Sequence, residues 1–284
     1  MTPSDPTRAA QESLLAKLRN RARALRYPPN LMLQLYVCER FLARVSRSEQ
    51  PNELILKGGL NLYGRQPNAA RPTQDIDFAV SQISSALEPQ IIATASLDLS
   101  DHVVFDIASL KVSTILEGAA QDGVRFELTA HVGSAHAKLA LDITSGNAIH
   151  PDPVWLEFPS LLGLETSAIL GYALETIFSE KLAAAVELGT VTTRLKDFYD
   201  LHQIVTRAAL SLPDVRLAVG QTFAQRGLEL VGSAELLGRL GFDQRLSQRW
   251  QAFLGESNLV ANTDFAATLE PIIALVNALE SAGV

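Results

Sequence analysis

Two short stretches decide the reading of this chain: Lys57-Gly58-Gly59-Leu60 and, after a loop, Asp75-Ile76-Asp77-Phe78. The first follows the apolar run Glu53-Leu54-Ile55-Leu56, so it reads as a buried strand running into a tight turn and then a helix beginning near Leu60. The second opens a strand of strict alternation. A period of two puts Ile76 and Phe78 on a core face and projects Asp75 and Asp77 together from the other. Paired carboxylates repel unless a cation neutralises them, and hard oxygen donors suit Mg²⁺ or Mn²⁺ bridging to substrate phosphates. Two glycines after a strand let backbone N–H groups approach a phosphate at a helix N-terminus, where Lys57 adds a point charge. Gly-Gly alone is usually a turn, and Asp-x-Asp alone is often the exposed face of an edge strand. In this order, they match what metal-assisted phosphoryl or nucleotidyl transfer requires, which is positioning and charge neutralisation.

Outward from these stretches, the N-terminal region predicts a helix over about 11–25, stopped by Pro28 and Pro29, and a second from Leu31 to Val45 capped by Asn30. Leu31, Leu35, Cys38, Leu42 and Val45 share a stripe, which makes Cys38 a small core residue. Val124–Ala130 and Lys138–Ile143 alternate as strands, with a hairpin around Gly133. Asp142 leaves the core face of the later strand and reads equally well as a third metal ligand or as a solvent-facing acid before the Ser145-Gly146-Asn147 turn. Residues from about 84 to 117 mix helix and strand signals. From Leu174 onward the chain is Ala- and Leu-rich, and Gly189, Pro213, Gly227 and Gly255 punctuate it into about five helices. The fold class is therefore α/β: a mixed-sheet lobe with helices over 1–155, then an α-helical lobe over 156–284 completing the site. In that lobe, Lys181 precedes three alanines, and Asp197 and Asp200 share a helix face. Taken alone, these residues read as a snorkelling surface lysine and first-turn acids favoured by the helix dipole.

Composition sets bounds. The 284 residues are 47% hydrophobic and 19% charged, which is globular, and suffice for one compact unit or two packed lobes. A net charge of −7 argues against nonspecific coating of nucleic acid, although Lys17, Arg19, Arg21, Arg23 and Arg26 cluster in one stretch, read first as a solvated helix face. No run of about 18 apolar residues predicts a membrane span. The N-terminus has no signal-peptide pattern, and the single Cys38 cannot form an internal disulfide, so a cytoplasmic location is expected.

The segments Leu56–Leu62 and Arg71–Phe78 resemble the AbiEii/AbiGii toxin family of nucleotidyltransferases, MenT-like members of the polymerase-β-like superfamily. Leu33–Leu42, Leu141–Asn147, Glu180-Lys181 and Arg194–Leu201 are similar to further family segments, so the resemblance covers most of the chain. It implies that Gly58 and Gly59 cradle an NTP triphosphate, that Asp75 and Asp77 hold Mg²⁺ or Mn²⁺, that Lys181 contacts the phosphates and that Asp197 completes the site. Lys57 and Arg71 would join Lys181 in neutralising the triphosphate. The resemblance also implies a cognate antitoxin and an acceptor such as the 3′ end of a tRNA. Fifteen residues separate Gly59 from Asp75, and Leu60 stands where the family often has a small hydroxyl residue; both bear on nucleotide preference.

Overall fold

The computed structural model describes residues 6–116, 122–189, 192, 194–257, 259 and 264–282. The chain begins with α1 (Pro6–Leu25) and α2 (Pro29–Val45). The cap of α2 is Pro28, with Pro29 in the first turn, and not Asn30. A proline there loses no hydrogen bond, because the first-turn N–H groups have no intrahelical partner. Then follow β1 (Ile55–Lys57), α3 (Gly58–Arg65), β2 (Ile76–Val80), α4 (Leu87–Ala95), β3 (Val104–Leu116), β4 (Asp122–Val132), β5 (Ala135–Ser145), β6 (Val154–Phe158) and β7 (Ser167–Gly171). Six helices close the described chain: α5 (Leu174–Leu188), α6 (Leu195–Arg207), α7 (Leu212–Arg226), α8 (Ser233–Gly241), α9 (Gln244–Glu256) and α10 (Phe265–Ser281).

Among the described residues, the strands form one mixed sheet in the order β3-β4-β5-β2-β1-β7-β6. β2 lies antiparallel to β1 and parallel to β5, and β1 is parallel to β7. The expected hairpin is β4–β5, turning at Gly133 with φ +58. The ambiguous stretch from 84 to 117 resolves into a short helix and a long strand, α4 and β3. The strands β6 and β7 went unread in the sequence and carry the sheet to Gly171, past residue 155.

Alternation divides the sheet's neighbours. Ile76 and Phe78 of β2 and Leu139, Leu141 and Ile143 of β5 join a core with Leu18 of α1 and Leu35, Cys38 and Phe41 of α2. Ala79, on the opposite face of β2, instead joins Phe178, Leu182 and Phe198 of α5 and α6. Asp77 shares a face with Ala79, so it is turned toward the helical part of the molecule. The central strands meet α3 and α5 through one amide. Asn61 Nδ2, fully buried, donates to the carbonyls of Leu56 and Tyr172, and Arg65 donates to Asn61 Oδ1 and to the Tyr172 carbonyl. These bonds fix the β1–α3 turn and the β7–α5 junction relative to each other, which are the two places that feed the site.

Candidate active site

The β1–α3 turn is built tightly against β2. Gly58 has φ +66, and a Cβ placed on it would lie 2.1 Å from Asp77 Oδ2. Only glycine allows both the left-handed backbone and that approach. A Cβ on Gly59 would come within 3.0 Å of Arg71 Nη2, so the guanidinium lies over the second glycine. Lys57 pairs in register with Asp77 across β1 and β2, and Asp77 in turn with Asp142 across β2 and β5.

A cleft of about 240 Å³ opens between this turn and the helices. Lys57, Gly58, Gly59, Arg71, Asp77, Lys181 and Asp197 all line it. One stripe of α5 forms a wall, with Ile177, Glu180, Lys181, Ala184, Glu187 and Leu188 at helical spacing. Lys181 is therefore neither exposed nor snorkelling. Its Nζ lies 2.7 Å from Asp197 Oδ1 and 2.8 Å from Asp200 Oδ2. Asp200 Oδ2 also accepts from Arg71 Nη2 at 3.0 Å, and Arg194 Nε lies 2.7 Å from Asp197 Oδ2. Burial works against the Lys181 charge, but Asp197 and Asp200 outweigh it and raise its pKa. Arg71 behaves likewise, with Asp200 the principal carboxylate acting against its burial. Burial opposes the Asp197 charge too, yet Lys181 and Arg194 hold its carboxyl below the usual range. Its Oδ1 accepts the hydrogen bond from Lys181, whereas Oδ2, buried and close to Arg194, has no hydrogen-bond partner among the described residues. Asp197 is thus the nearest carboxylate to the Lys181 ammonium.

Asp75 stands just before β2 and is exposed. The carbonyl before it is pinned by α2, where Gln34 Nε2 donates to the Gln74 carbonyl at 2.9 Å and Cys38 Sγ lies 3.6 Å from the same oxygen. Burial pushes the Cys38 thiol up to about 12, consistent with a core role. Asp142 sits beside Asp77, but Arg125 of β4 grips both its oxygens at 2.6 Å. That hydrogen-bonded pairing raises the Arg125 pKa. The Asp142 oxygens therefore face a fixed cation, and among the described residues no three His, Cys, Asp or Glu side chains gather as a metal cluster.

Sequence reasoning left Asp200 with the surface acids, yet it is 2% exposed. It also missed Glu187 and Arg226, which face the cleft and pair at 3.1 Å. The α5 stripe carries a signal for Glu187, three and six residues beyond Ala184 and Lys181; Arg226, at the end of α7, has none in the sequence. The basic stretch from Lys17 to Arg26 lies exposed on α1, which packs on the other face of the sheet.

The family model of the nucleotidyl transferase AbiEii toxin, a type IV toxin–antitoxin system, matches residues 40–271. This chain belongs to the AbiEii family. It is accordingly an NTP-dependent nucleotidyltransferase of the toxin kind. The matched span takes in every cleft residue named above. No curated protein matches the chain. Among solved structures, JHP933 from Helicobacter pylori superposes with a TM-score of 0.51 at 14% identity, covering 86% of this chain and 89% of that one. A candidate nucleotidyltransferase from H. pylori gives 0.50 at 14% identity, covering 86% and 92%. At that identity the likeness establishes a shared fold for the AbiEii chain. No helix among the described residues is long and apolar enough to cross a membrane.

Proposed function

We propose that this AbiEii enzyme transfers a nucleotidyl group from an NTP to the 3′ end of a tRNA, with a divalent metal ion, in the cytoplasm and under the control of a cognate antitoxin. One observation carries the reading: the Gly58-Gly59 turn, Asp77, Lys181 and Asp197, distant in sequence, line a single cleft. The donor set fits Mg²⁺ or Mn²⁺. Asp77 offers hard oxygens in the cleft, and Asp75, exposed just before β2 and not itself a lining residue, is two residues away to add its own. Mg²⁺ commonly takes one or two protein carboxylates, leaving its other positions to phosphates and water. The ion would polarise the α-phosphate and neutralise charge on departing pyrophosphate. Asp142, held by Arg125, serves in this reading to tie β5 to β4 rather than as a third ligand.

The chain's own residues supply the rest. Backbone N–H groups at Gly58 and Gly59 cradle the triphosphate. Arg71 and Lys181, charged across the whole working pH range, neutralise it, while Asp197 keeps Lys181 and Arg194 in place. Six basic residues line the cleft against four acidic ones, and Arg194 and Lys196 stand exposed at its rim. In a protein of net charge −7, that local excess favours a polyanionic acceptor. The working unit is then a sheet lobe reaching Gly171 and a helical lobe from Leu174, with the site between them.

The test is incubation with each α-³²P-labelled NTP, Mg²⁺, total tRNA and a protein extract, beside the Asp75→Ala variant. Label appearing on tRNA and lost in the variant is the expected outcome. Label on protein would replace the acceptor. NTP binding without any transfer would leave a catalytically silent nucleotide-binding protein.

A further inference from the structure

We propose that Asp200 is a positioning residue of the transfer reaction: one buried carboxylate oxygen that draws Arg71 and Lys181 together into a two-cation clamp for the triphosphate. The inference rests on the reading of the cleft as the NTP site and gives a task to a residue which that reading leaves idle.

The geometry is specific. Arg71 comes from the loop before β2, Lys181 from the middle of α5 and Asp200 from the second turn of α6. Both cations converge on the same atom, Asp200 Oδ2, Nη2 of Arg71 at 3.0 Å and Nζ of Lys181 at 2.8 Å. Two like charges brought to one point repel strongly where water is scarce, and the site is dry: Arg71 is 9%, Lys181 8% and Asp200 2% exposed. Without the Asp200 charge the two cations would separate, or one of them would lose its proton. With it they stay fixed, Arg71 over Gly59 and Lys181 in the α5 wall, both facing the cleft. Lys181 has Asp197 as a second partner, whereas no other carboxylate makes an ion pair with Arg71 among the described residues. Arg71 Nε is buried and meets no hydrogen-bond acceptor. Besides Asp200, Arg71 reaches only the carbonyl of its neighbour Pro72, 3.5 Å from Nη1, among the described residues. Asp200 is therefore the carboxylate that orients it, and a phosphate oxygen in the cleft is a suitable further acceptor.

Asp200 does not line the cleft itself. Its action on substrate passes through the two cations, and a removal that spares shape should expose it. The chosen change is Asp200→Asn, which keeps the size and one acceptor oxygen but removes the charge. The probe is inorganic tripolyphosphate with Mg²⁺, titrated calorimetrically into the full chain, which reads the clamp without requiring the nucleotide to be known. Expected is a roughly tenfold weaker affinity in Asp200→Asn, the effect of losing about one charge-assisted contact. With a labelled NTP, KM should rise by a similar factor while kcat changes less. An Asp200 that served only to join α6 to the loop would lower the melting temperature and leave the affinity of the folded protein unmoved, which would overturn the proposal. Should Asp200→Asn not fold, Arg71→Gln in the native Asp200 background must show the same tenfold loss, and unaltered affinity there would also overturn it. Lys181→Gln separates the two levels. If it too binds tripolyphosphate as the parent does, the cleft is not the triphosphate site and the underlying reading falls with the clamp; if Lys181→Gln binds weakly while Asp200→Asn does not, only the clamp fails.

Discussion

Gly58 is where backbone and chemistry meet most tightly. Its φ of +66 costs a side-chain-bearing residue about 1–2 kcal/mol. A methyl group there would also displace the Asp77 carboxylate, 2.1 Å away from it. Gly58→Ala should therefore lower nucleotidyl transfer far more than it lowers stability, which parallel activity and urea-unfolding measurements would reveal; a loss of stability with full activity would refute this. The carboxylates on neighbouring strands are predicted to differ. Asp77→Asn removes a proposed metal ligand and should reduce kcat by about three orders of magnitude, the scale of several kcal/mol of transition-state stabilisation. Asp142→Asn loses the Arg125 pairing and should stay within about tenfold of the parent, the cost of a hydrogen bond to a charged group. Equal losses in the two variants would restore Asp142 as a ligand. Asp77 and the glycines were legible as residues because their chemistry is local to two short runs. The fate of Asp142 was not, because Arg125 is 17 residues away and reaches it only once β4 and β5 pair.

At the scale of elements, α2 is tied to the segment before β3 by a buried ion network. Asp101 accepts from Arg40 Nε at 2.7 Å and from Arg44 Nη1 and Nη2 at 2.8 and 3.0 Å. Arg44 is 1% exposed and lies 4.9 Å from the Phe105 ring centroid. Asp101→Ala would leave the buried Arg44 without a carboxylate and Arg40 with only Glu39, 3.6 Å away, and should cost about 3–5 kcal/mol in denaturant unfolding. A cost under about 1 kcal/mol, typical of an exposed pair, would show that water reaches the network. Elements with strong periodicity, α1, α2, β4 and β5, were legible within a few residues. The strands β6 and β7 were not. Val154–Phe158 is crowded by Pro153 and Pro159, and Val154 and Trp155 are exposed at the sheet edge, so no alternation marks them. Their pairing is decided by partners distant in sequence, β1 for β7 and β7 for β6.

Across the whole molecule, ionisation links the site to stability. Asp101 and Asp197 have pKa values lowered from 3.8, Asp101 by its arginines acting against burial and Asp197 by Lys181 and Arg194 acting against burial. Their contribution is present above pH 3.8 and is lost as pH falls through the lowered values. Lys181, raised from 10.5, contributes fully below that pH and loses its contribution as pH rises through its folded value. Stability should form a plateau between those limits and fall at both ends, as melting temperatures across pH would show; Lys181→Gln should weaken the alkaline fall, and an unaltered fall would exclude Lys181 as its source. The sequence by itself determined the α/β class, the Gly-Gly turn, the Asp-x-Asp strand and the helical second half, because each is written in periodicity and residue type over a few neighbouring positions. Only the tertiary structure decided that Lys181, Asp197 and Asp200 are buried together, that Arg71 joins them and that Asp142 belongs to Arg125. Those outcomes depend on charges brought from separate elements into a poorly hydrated space, where pairing overrides the preference of each residue for water.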